Sequence, residues 1–154
     1  MISKILKALN DNKVDCYIIN EIKEQVFELY LIKKQTDMCR KKDVTIYNVT
    51  VFRKNADNTL GDSKFTIYPS MDEEELNEII KDAYYAAGFV KNKFYELPKG
   101  FKNEKKLSSS SISKESLEEC ALKVKDILYK YDNKKNGWIN SSEIFVNKIE
   151  KRII

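Results

Sequence analysis

The sequence predicts an α+β fold: an antiparallel sheet of about four strands with two helices packed on it, followed by a third helix and a C-terminal strand hairpin. Three observations carry this reading. Val44–Arg53 alternates like a long half-buried strand, a polar turn and a second strand return from it by Tyr68, and an amphipathic helix with a capped start follows. Runs of strand and helix that do not alternate regularly point to α+β rather than to a parallel sheet.

Each element has its own signal. Ile2, Ile5, Leu6 and Leu9 lie at helical spacing, and Asn10-Asp11-Asn12 supplies a stop, so a helix covers residues 2–12. Val14–Ile22 and Glu24–Lys34 read as two strands, with Glu21-Ile22-Lys23-Glu24 as the turn between them and 36–43 as a polar loop. In the strand at Val44–Arg53, Thr45, Tyr47, Val49 and Val51 share one face, and Val44, Ile46 and Phe52 the other. Asn55-Ala56-Asp57-Asn58 and Leu60-Gly61-Asp62 carry turn chemistry, and Lys64–Tyr68 is the returning strand, ended by Pro69. Ser70-Met71-Asp72-Glu73 has the pattern of a capping box, with Ser70 as cap and Glu73 reaching back. Leu76, Ile79, Ile80, Ala83 and Ala86 then form one apolar helix face, and Gly88 punctuates its end. Residues 90–106 are lysine-rich and irregular, with Phe94, Tyr95 and Leu97 pinning them to the domain.

These signals divide the chain into a sheet-and-helix domain over 1–106, a Ser-rich linker over 107–113, and a helix plus strand hairpin over 114–154. The third helix runs over Lys114–Tyr131 with Leu117, Val124, Ile127 and Leu128 as its apolar residues. Trp138–Val146 and Ile149–Ile154 are the hairpin strands. The chain stops on Arg152-Ile153-Ile154 without a polar tail, the pattern of a fragment cut from a longer polypeptide.

Composition narrows function chiefly by what it lacks. There is no histidine, which removes the commonest general base, the commonest zinc ligand and every Ser-His or Cys-His nucleophile pair. Net charge is +4, but the basic residues are lysines scattered among nearly as many acids, with only Arg40, Arg53 and Arg152 as arginines. Nucleic-acid domains favour arginine forks and concentrate charge on one face, so that class is disfavoured. No apolar run is long enough to span a bilayer, the start lacks a signal peptide's apolar centre, and three cysteines without a CxxC fit reduced thiols. The expectation is a cytoplasmic protein that contacts neither nucleic acid nor membrane.

Asp132–Glu143 is the one segment with metal-ligand spacing. It matches a twelve-residue calcium loop at positions 1, 5, 6, 8 and 12, with Asp132, Asn136 and Glu143 as candidate ligands. Lys134 occupies position 3, where a carboxylate or amide belongs, and the simpler reading is a helix stop at Asn136-Gly137 leading into a strand. Cys39 beside Arg40 and Lys41 has the surroundings of a thiol of lowered pKa, or is a loop cysteine without a role. Tyr84, Tyr85 and Tyr95 are either a peptide-contacting surface or the edge of a core. The Lys99–Lys106 cluster reads as a solvated face. A small antiparallel sheet with long strands also offers open edges, and an edge accepts an extended peptide through main-chain hydrogen bonds.

Val44-Thr45-Ile46-Tyr47-Asn48-Val49-Thr50-Val51, then Gly61-Asp62-Ser63 and the helix carrying Glu74, Leu76, Ala83, Ala86 and Ala87, resemble the N-terminal domain of the TldD/PmbA family. Phe89–Pro98 and the late segment from Ser142-Glu143-Ile144-Phe145-Val146 to Ile154 are similar too. The resemblance implies cytoplasmic bacterial proteins regarded as zinc-dependent peptidases and described as modulators of DNA gyrase. Such proteins form dimers that enclose unfolded peptides. The family's metal motif, a His-Glu helix with a second His, matches nothing in this chain. The resemblance therefore implies no catalytic or metal residue and no cofactor here, with zinc confined to a full-length parent.

The resulting expectation is an N-terminal, non-catalytic domain that contributes to homo- or hetero-dimerisation with a family member and accommodates an extended peptide. The alternative is a stand-alone binding or regulatory module with the degenerate calcium loop at 132–143. A third class, an enzyme using carboxylates alone, requires two acids converging in one pocket.

Overall fold

The structure is a computed structural model that describes residues 1–97, 115–134, 137 and 139–154. Its described elements are α1 (Ile2–Asp11), β1 (Cys16–Ile32), β2 (Gln35–Lys54), β3 (Thr59–Ile67), α2 (Glu73–Ala87), β4 (Asn92–Lys93), α3 (Leu117–Lys134) and β5 (Ser141–Ile153). The five strands form one sheet in the order β4-β3-β2-β1-β5. The architecture is α+β, as the sequence predicts.

Two compact units divide the chain. The first comprises Met1–Ile22, Thr45–Asn103 and Lys151–Ile154; the second comprises Lys23–Val44 and Glu104–Glu150. The predicted linker at 107–113 lies outside the described residues.

In the first unit both helices pack on the sheet. Ile5, Ala8 and Leu9 of α1 meet Leu76, Ile80 and Ala83 of α2 over Ile19, Tyr47, Val49, Val51 and Ile67. The 3.6-residue spacing of the helices and the two-residue alternation of β2 thus converge on one apolar layer. Asn12 ties the helices together: its side-chain amide donates to Ala8 O at 2.8 Å and to Asn77 Oδ1 at 3.0 Å. Strands β2 and β3 pair antiparallel from Tyr47↔Ile67 to Lys54↔Leu60.

The capping box of α2 sits two residues later than the sequence pattern suggested. Asp72 is the cap, its Oδ1 accepting from the Glu74 and Glu75 N–H groups at 2.9 Å, and Glu75 accepts from the Asp72 N–H at 3.0 Å. A carboxylate at the positive end of a helix gains from the dipole, which a serine does not. Leu60-Gly61-Asp62 is strand rather than turn. Gly61 is there for space: a Cβ on it would lie 1.7 Å from the Ala87 carbonyl oxygen and 2.8 Å from that of Val90. The end of α2 therefore rests directly on the backbone of β3.

Three further corrections concern strand boundaries. Val14–Ile22 and Glu24–Lys34 are one strand, β1, not two with a turn at Glu21–Glu24. Its alternation never slips phase: Ile19 and Glu21 are buried, Lys23 and Gln25 are not, and Phe27, Leu29 and Leu31 are buried again on the same face. The polar stretch is where the strand leaves the first core before it reaches the second. The 36–43 loop is strand too, because the reversal occurs at Lys33 and Lys34. Both have positive φ, 46° and 68°, the conformation a two-residue hairpin requires. Finally, the C-terminal hairpin is a single strand, β5.

The second unit has its own core: Phe27, Leu29, Leu31, Ala121 and Ile144, with Leu117, Tyr129 and Val146 packed against it. Helix α3 is capped by Ser116, which accepts from the Glu119 N–H at 3.1 Å while Glu119 accepts from the Ser116 N–H at 2.9 Å. Its buried face is Leu117, Ala121 and Asp132 rather than the face through Val124 and Ile127, both of which are exposed. A small alanine lets the helix approach the sheet, and that selects the face.

Candidate functional site

Asp132 is the first candidate ligand, and its surroundings are filled. The side chain is 1% exposed, with Lys34 Nζ 3.1 Å from Oδ2. The Ile139 N–H donates to Oδ1 at 2.8 Å, and the Gly137 N–H donates to the Asp132 carbonyl at 3.0 Å. Lys34 also donates to Asn133 Oδ1. An ammonium therefore stands beside the carboxylate that a cation would need. Glu143 lies on β5 beside the Tyr30 hydroxyl, whose pKa it raises more than burial does, while that hydroxyl donates to Glu28 Oε2 at 3.4 Å. Asn136 is outside the described residues. Among the described residues no three Asp, Glu or Cys side chains converge as a metal site.

The remaining candidates separate in the same way. Cys39 is exposed and sits within strand β2, not in a loop. Its neighbours are engaged elsewhere: Arg40 Nη1 lies 3.9 Å from Glu28, and Lys41 Nζ 2.6 Å from Glu118. Tyr84 packs against the first core with the Arg53 guanidinium over its ring at 5.3 Å, whereas Tyr85 is exposed and meets Phe89 edge-to-face at 5.0 Å. Phe94 takes the Lys54 ammonium over its ring at 4.9 Å, and Phe94 and Tyr95 remain exposed. Residues 99–106 are outside the described residues.

The sheet edges are better defined than any side-chain cluster. At one side β4 contributes only Asn92 and Lys93, paired with Leu60 and Thr59. At the other, β5 is the outermost described strand over its whole length. Strand β2 runs well past the end of β3, whose pairing with it stops at Tyr47↔Ile67. Its segment 35–44, exposed over 35–43 and half-buried at Val44, continues with no described strand in the β3 lane. An unpaired lane of this kind presents main-chain donors and acceptors to an incoming extended chain. The sequence offered no way to choose among the edges, because strand order depends on pairings distant in the chain.

No helix among the described residues is long and apolar enough to cross a membrane. No family signature and no curated protein matches the sequence. The fold has matches among solved structures. TldE from Thermococcus kodakarensis superposes with a TM-score of 0.67 over 98% of this chain and 34% of its own, at 14% identity. A protein named as a modulator of a DNA gyrase, from Thermotoga maritima, gives 0.56 over 99% of this chain and 36% of its own, also at 14% identity. A protein of the same description from Bacteroides thetaiotaomicron gives 0.50 over 99% and 38%, again at 14% identity. The chain thus spans about one third of the length of the structures it matches.

Proposed function

We propose that this chain, which has the fold of part of TldE and of the proteins named as DNA gyrase modulators, is the non-catalytic N-terminal domain of a cytoplasmic TldD/PmbA-like protein. The observation that carries the reading is a fold match over nearly the whole chain to about a third of each relative. In this reading the domain contributes to dimerisation and holds an extended, unfolded peptide, while peptidase chemistry and its zinc belong to other parts of the parent protein. The composition supports that division: the chain has no histidine to bind zinc or to act as a base. The unpaired lane beside 35–44 of β2 supplies a place where a peptide adds as a strand.

The test incubates the chain with zinc and a dye-labelled unfolded peptide, following binding by anisotropy and cleavage by mass spectrometry. Binding without cleavage is expected. Cleavage by this chain alone, or no binding of any unfolded peptide, overturns the reading.

A further inference from the structure

The outer edge of β5 has a composition that is complementary to itself. At both ends of the strand, even-numbered residues bond toward β1. The Lys33 N–H donates to the Asn140 carbonyl at 2.9 Å, and Ile19 and Ile154 exchange N–H···O bonds at 2.8 and 2.9 Å. Main-chain groups alternate sides along a strand, so the odd-numbered residues of β5 direct their N–H and C=O groups away from β1. No described strand lies on that side. The same odd residues share one face: Glu143, Phe145, Asn147, Ile149 and Lys151. Phe145 and Ile149 are 54% and 49% exposed on it, an unusual load for an edge strand left in water.

Asn147 is the midpoint of Ser141–Ile153. Turning a second copy antiparallel about that residue places Asn147 opposite Asn147 on the axis, and Phe145 opposite Ile149 and Glu143 opposite Lys151, the last two pairs each occurring twice by symmetry. Apolar residues meet apolar ones and opposite charges meet, all at positions whose main-chain groups point across the edge. A two-fold interface must be self-complementary in this sense. Shifting the centre to Ile149 still pairs Phe145 with Ile153, but it sets Asn147 against Lys151 and separates Glu143 from Lys151.

We infer that two copies of this chain pair edge to edge through β5, antiparallel and centred on Asn147. This deepens the dimerisation part of the function proposed above and rests on it. Analytical ultracentrifugation of the full chain and its variants, with folding checked by circular dichroism, provides the test. Glu143→Lys and Lys151→Glu each place like charges opposite one another and are expected to weaken the dimer by about tenfold. The double variant recreates the pairing with its signs exchanged and is expected to recover the wild-type constant. In a background with Cys16, Cys39 and Cys120 changed to serine, Asn147→Cys is expected to cross-link to itself on oxidation, and Ile149→Cys is not. A dimer indifferent to the charge changes, no recovery in the double variant, or cross-linking at Ile149→Cys instead overturns the β5 pairing while leaving dimerisation intact. A wild-type chain that remains monomeric overturns both.

Discussion

Lys34 Nζ lies 3.1 Å from Asp132 Oδ2, so a lysine held in a left-handed turn neutralises a buried carboxylate near the end of α3. Neither residue explains itself alone. A lysine at φ 68° is strained, since the left-handed region costs a residue with a Cβ about 1–2 kcal/mol. An unpaired buried carboxylate costs more. The turn accepts the smaller cost to avoid the larger one. The two turn lysines should therefore respond in opposite ways to the residues that turn rules recommend. Lys33→Asn should stabilise the chain by about 0.5–1 kcal/mol, because asparagine tolerates this conformation. Lys34→Gly relieves the same strain but removes the ammonium beside Asp132. The loss of a partner, about 3 kcal/mol when fully buried and less here because Lys34 is 37% exposed, should leave it destabilised by roughly 1 kcal/mol net. Urea denaturation of both variants reads the two signs.

The same pair bears on calcium. With an ammonium already on Asp132, calcium titration should leave Trp138 fluorescence unchanged. In Lys34→Ala the carboxylate loses its cation, and any response to calcium should emerge only there. A saturable response in the wild-type chain would support the alternative reading of the loop at 132–143.

Gly61 should be intolerant of a side chain. A Cβ 1.7 Å from the Ala87 oxygen cannot be absorbed by rotating a neighbour, because the obstacle is backbone. Gly61→Ala should cost about 3 kcal/mol by forcing the end of α2 off β3. Gly137, at φ 72° and with the nearest atom 4.0 Å from an added Cβ, should lose only about 1 kcal/mol on substitution by alanine, through strain alone. Thermal unfolding of the two variants separates crowding from conformation.

Asp57 anchors the β2–β3 turn and carries the clearest acid signature. Lys91 Nζ lies 2.7 Å from its Oδ2, and the Thr59 hydroxyl donates to Oδ1 at 2.6 Å. The lysine above all, then Thr59, lowers its pKa from 3.8 to about 2. A folded pKa below the unfolded one means that the interaction favours folding above about pH 4 and is lost as pH falls through about 2. A carboxyl titration by NMR should place the Asp57 midpoint near 2, and Asp57→Asn should flatten the loss of stability in that window.

Much of the first unit was legible in the sequence because its signals are local. The spacing of Ile5 and Leu9, the alternation of Tyr47, Val49 and Val51, and the run Leu76, Ile80, Ala83 all lie in the predicted core. What failed depended on partners far along the chain. Glu21-Ile22-Lys23-Glu24 resembles a turn until Ile19 and Phe27 are seen to belong to different cores on one unbroken strand. The reversal at Lys33-Lys34 has none of the Asn or Gly that mark such turns, because Lys34 answers to Asp132, about a hundred residues away. The buried face of α3 was misplaced because Val124 and Ile127 are more apolar than Ala121, yet only the alanine fits close to the sheet. Candidate site residues were readable as types; which of them meet depends on the sheet order.

Amide hydrogen exchange of the chain, with and without a saturating unfolded peptide, tests most directly whether a sheet edge holds an extended chain. Protection gained along 35–44 of β2, where β3 no longer covers the strand, is the expected result. Peptide bound with no change in those amides, or with protection confined to the exposed face of α3, would contradict the account.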